Sequence, residues 1–101
     1  MSRKQQFDVL ATAGEIASAC AEMGFTFEIE ADNRHGKRAS RYVCVRKPLA
    51  IKVRVADHRS NWIEQNAGRS RMLMLDVGPH GLSATDAIAA IKERTDKAVE
   101  D

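Results

Sequence analysis

The chain has 101 residues, 44% hydrophobic and 30% charged, with few aromatics and a formal charge of +2. That length and composition fit one soluble α+β domain over residues 1–101, with a single core. No apolar run reaches bilayer-spanning length, and Gln5, Gln6 and Asp8 interrupt any secretory leader, so a membrane protein is excluded and the cytoplasm is the expected location.

The small net charge hides an asymmetry. Residues 34–71 hold eleven Lys or Arg against Asp57 and Glu64, a local charge of +9, while residues 1–33 carry −4 and residues 72–101 carry −3. A basic centre between acidic ends is a patch, and patches steer anionic partners. Cys20 and Cys44 fall in separate apolar segments without a Cys-x-x-Cys pair, so both are expected as buried, reduced thiols.

Taken in order, Ser2 to Gln5 fits a capping box, and Thr12 to Glu15 offers a later helix start; the earlier is preferred. Val9, Ala13, Ile16, Cys20 and Met23 then form one helical stripe, which Gly24 should end in a left-handed conformation. Phe25, Phe27 and Ile29 alternate with polar residues as a first strand, followed by a long polar loop carrying Arg34, Lys37 and Arg38.

Two runs with period 2, Tyr42 to Arg46 and Ile51 to Val55, flank Lys47-Pro48 and read as an antiparallel hairpin. Residues 57–70 read as a loop with at most one helical turn, pinned to the core edge by Trp62. Leu73, Leu75 and Val77 mark a fourth strand, ended by Gly78-Pro79-His80-Gly81. Ser83 and Asp86 open a last helix with Ala84, Ala87, Ile88, Ile91 and Thr95 on one face.

The resulting order, α-β-β-β-β-α, predicts a two-layer α+β fold: an antiparallel sheet of about four strands with both helices packed on one face. The other sheet face is then partly open, provided no helix crosses it. It carries Tyr42, Arg46, Lys52 and Arg54, a combination suited to phosphate neutralisation and base stacking, with Arg34, Lys37 and Arg38 adding contacts from the loop. Met72 and Met74 share the outward parity of the fourth strand and mark a protein-contact patch, which is compatible with a homodimer.

Signals for chemistry are absent by comparison. Adjacent strand residues point to opposite faces, so Asp57 is expected to cap the following turn rather than orient His58. His35, His58 and His80 have no zinc-ligand spacing, no Ser has a base partner, and the Gly78–Gly81 turn lacks the Lys of a nucleotide-binding loop. No catalytic residue, metal or cofactor is expected.

Ser40-x-Tyr42-Val43 followed by Ile51-Lys52-Val53-Arg54-Val55-Ala56-Asp57-His58 resembles a hairpin signature of small phage and mobile-element proteins. Those read Ser-x-Tyr-Val, an alternating aliphatic and basic strand, then Ser-Asp-His; Ala56 departs from the pattern where they have Ser. The resemblance implies a phage protein. Charge and resemblance together point to a non-enzymatic module that binds nucleic acid or a nucleoprotein complex through its basic hairpin face. The alternatives are a protein-only inhibitor or adaptor, of which anti-CRISPR proteins are an example, and a small hydrolase using His58 and Asp57.

Overall fold

The structure is a computed structural model that describes residues 7–32, 40–58, 61–66 and 72–100. Its elements are α1 (Val9–Glu22), β1 (Thr26–Asp32), β2 (Ser40–Lys47), β3 (Ile51–Val55), α2 (Trp62–Asn66), β4 (Leu73–Val77) and α3 (Ala84–Glu100). The α+β class, the four strands and the two terminal helices are as the sequence predicts.

Helix α1 begins at Val9, where the Asp8 side chain accepts a hydrogen bond from the Ala11 amide. The early start expected at Ser2 is corrected, since Phe7 and Asp8 are not helical; Ser2 and Gln5 themselves lie outside the described residues. At its other end the Gly24 amide donates to Ala21 and the Phe25 amide to Cys20, each at 3.0 Å. Gly24 has φ +77°, so the left-handed ending expected there is present.

The sheet order is β1-β2-β3-β4, with β1 antiparallel to β2 and β2 antiparallel to β3. The Lys47–Pro48 peptide at the β2–β3 turn is cis. The last pair differs from expectation: β3 and β4 run parallel. A parallel pair needs a crossover of a dozen or more residues, and residues 56–72 supply one, with α2 inside it.

One hydrophobic core lies between the sheet and the two long helices. Ala13, Ile16 and Cys20 of α1 and Ala87 and Ile91 of α3 meet Val43, Val45, Ile51, Val53, Val55, Leu75 and Val77 of the strands. The crossover passes over the opposite face, where Trp62 of α2 meets Tyr42 of β2 at 5.8 Å between ring centroids. That face is therefore partly covered rather than open. The expectation that no helix crosses the outer face is corrected by α2, which lies in the crossover that the parallel β3–β4 pair requires.

Candidate functional site

On the outer face the strand registers create cross-strand rows. Glu30, Tyr42, Arg54 and Asp76 form one, and Glu28, Cys44, Lys52 and Met74 form the next. Tyr42, Arg46, Lys52 and Arg54 do share this face, but acids from the two edge strands stand among them, and each cation has a neighbour.

Arg46 Nη2 lies 2.9 Å from Glu28 Oε2, with both side chains more than half exposed. The Glu28 carboxylate raises the Arg46 pKa, but an exposed pair of this kind contributes little to stability. Lys52 Nζ sits 4.9 Å from the centroid of the Tyr42 ring. Tyr42 is thus held between Lys52 and Trp62, half-buried.

Arg54 departs most from expectation. It is 3% exposed rather than displayed with Arg46 and Lys52. Nη1 donates to Asp76 Oδ1 at 3.0 Å, and Nη2 donates to His58 Nε2 at 3.1 Å. Burying a guanidinium requires such partners, since the bare charge would be costly away from water. Nothing in the β3 alternation alone marks Arg54 as different from Lys52; Asp76 had the right parity to be its partner, but only the β3–β4 pairing brings it across.

Asp57 and His58 are also corrected. Strand β3 ends at Val55, so strand alternation no longer separates them, and His58 Nδ1 lies 3.3 Å from Asp57 Oδ1. A guanidinium can only donate, so His58 Nε2 must accept from Arg54, and Nδ1 carries the proton toward Asp57. Asp76, Arg54, His58 and Asp57 form a continuous chain of polar contacts. The nitrogen that a general base would use is already engaged by a cation.

Beside this chain, Ile63 and Glu64 of α2, Met74 and Asp76 of β4, His80 and Leu82 border a groove of about 580 Å³. Met74 is therefore at a concave surface, half-buried, and Met72 is half-buried just ahead of β4. Arg34, Lys37, Arg38 and His35 lie outside the described residues. Among the described residues no cluster of three His, Cys, Asp or Glu side chains is placed to hold a metal ion.

Sequence reasoning missed Trp62 as a member of this surface, and placed Glu28 on it without naming it as the partner of Arg46. Trp62 was the only large aromatic in a polar stretch, a signal for anchoring, but its target was Tyr42 rather than the core edge. Both cysteines are free and buried, and burial raises both thiol pKa values; at Cys44 Glu30 adds to the rise, opposed by Lys52 and Arg46. No family model, curated protein or solved structure matches the chain.

Proposed function

We propose that this chain is a non-enzymatic binding module for nucleic acid or a nucleoprotein complex, with its main contacts at one end of the sheet rather than across the middle of the outer face. The observation that carries the reading is charge: residues 33–56 contain eight Lys or Arg and no acid. Within that stretch Arg54 is consumed by an internal pair, which leaves Arg46 and Lys52 as partners only at the margin.

Arg34, Lys37 and Arg38 belong to the segment joining Asp32 to Ser40, two residues that pair at the end of the sheet beside half-buried Arg41. Arg59 follows His58 in the chain. Cations carried on connecting segments can add phosphate contacts that position a nucleic acid without reading its sequence. The engagement of His58 Nε2 by Arg54 supports the non-enzymatic reading over a hydrolase.

The test is a titration of labelled single-stranded and double-stranded oligonucleotides at two salt concentrations. R34E/K37E/R38E should abolish binding with the fold intact, and each lost phosphate contact should lower the salt slope by about 1. Tyr42→Ala should weaken single strands more than duplex if the ring stacks a base. No binding by the unmodified protein at low salt overturns the reading. The groove bordered by Ile63, Met74 and Leu82 favours the second reading, a protein-only inhibitor or adaptor, whose binding would respond weakly to salt.

A further inference from the structure

The two edges of the sheet are finished differently. At β4 the chain turns back on itself: the Leu82 amide donates to Asp76 at 2.9 Å, the Gly78 amide donates to Leu82 at 3.1 Å, and Val77 and Leu82 form a bridge. At β1 no described residue pairs with the outer side of the strand. Every second residue of β1 therefore directs its amide and carbonyl away from β2, toward a position where a further strand would fit.

The surroundings of that edge are specific. Leu10 is 64% exposed and Ile29 is 50% exposed, two of the three large apolar side chains most open to water among the described residues. Ile29 lies on the helix-bearing face of β1, in register with core residue Val43. On α1, half-buried Thr12, Ala19 and Met23 line one flank, while exposed Leu10, Gly14 and Ala21 line the other. Since α1 packs on both α3 and β1, the exposed flank is the one turned away from α3, above the β1 edge. On the opposite face of β1 stand Glu28 and Glu30, and the strand has no Lys or Arg.

We propose that β1 is a docking edge for an extended segment of a protein partner in which aliphatic residues alternate with Lys or Arg. Added as a fifth strand, such a segment sets its aliphatic side chains against Ile29 and the Leu10 flank. Its cations lie beside Glu28 and Glu30 on the other face, and its backbone completes the open ladder. A second copy of this chain is a poor occupant, because β1 against β1 brings acids together on one face. The same carboxylates that discourage self-pairing select a basic strand. This surface is separate from the cationic sheet end, and neither proposal depends on the other.

The probe is a capped synthetic peptide alternating Val with Lys and Arg, compared with a peptide of the same composition whose valines are grouped at one end. Binding to the full chain is followed by fluorescence anisotropy, and the contact is located by amide hydrogen exchange. The alternating peptide should bind and protect β1 amides, and the grouped peptide should not. E28K/E30K should weaken that binding about tenfold and accept instead the peptide with Glu in place of its cations. L10S/I29S, which alters only exposed side chains, should weaken binding of the alternating peptide and covers the case in which the charge-reversed variant fails to fold. Equal binding of the grouped peptide, protection elsewhere such as the groove between α2 and β4, self-association of the unmodified chain through β1, or no binding at all would overturn the proposal.

Discussion

Arg54 and Asp76 face each other across the parallel β3–β4 pair, with Nη1 3.0 Å from Oδ1 and the Arg54 side chain only 4% exposed. This contact joins the edge strand to the centre of the sheet on the face opposite the core. Removing one partner strands a buried charge, whereas removing the charge itself does not. Asp76→Ala should therefore cost about 3 kcal/mol in urea denaturation, and Arg54→Met should cost clearly less. Equal losses would mean that Arg54 finds other partners when Asp76 is gone.

His58 supplies the second test of the same corner. Because Arg54 donates to Nε2, the neutral ring should carry its proton on Nδ1. Nitrogen chemical shifts of labelled His58 should show Nε2 as the unprotonated acceptor. The reverse pattern would exclude the Arg54–His58 hydrogen bond. Arg54→Met should release that constraint and let the tautomers mix.

Two glycines in or beside α1 should respond in opposite directions. Gly24 has φ +77°, where a β-branched residue is strained, so Gly24→Val should destabilise by about 2 kcal/mol. Gly14 lies mid-helix, and a Cβ there would meet nothing within 4 Å. Gly14→Ala should stabilise by roughly 0.5–1 kcal/mol through helix propensity. Thermal melts of the two variants, shifted down and up, check both.

The thiols make a prediction about alkaline pH. Cys20 and Cys44 have folded pKa values above the ordinary 9.0, mainly through burial. Below that ordinary value both states hold the thiol proton, and the buried neutral form costs nothing extra. As pH rises through 9.0 and then through the folded pKa, the unfolded chain ionises first, and stability falls. Melts should show a loss above pH 9.0 that Cys20→Ala reduces in slope, and neither thiol should react with an alkylating reagent at neutral pH until the chain unfolds.

Local order was legible in the residues. The 3.6-residue stripes of α1 and α3, the period-2 strands and the Gly24 helix ending each follow from neighbouring residues, because backbone geometry fixes which side chains share a face. Ser83 likewise caps α3 as its position suggests, accepting from the Asp86 amide at 3.1 Å. The common parity of Tyr42, Arg46, Lys52 and Arg54 was equally legible.

What the sequence by itself determined is which side chains share a face; what they meet there was decided by the tertiary structure. Parity says that Arg54 leaves the core side of β3, but the antiparallel and parallel pairings place Tyr42 on one side of it and Asp76 on the other. The parallel crossover then carries Trp62 over Tyr42 and lets His58 reach Arg54. Strand direction depends on long-range closure of residues 56–72, and no local pattern of apolar and polar residues encodes it. A face that reads as cationic in one dimension is thus largely neutralised in three, because the edge strands bring Glu28 and Asp76 to its Arg residues.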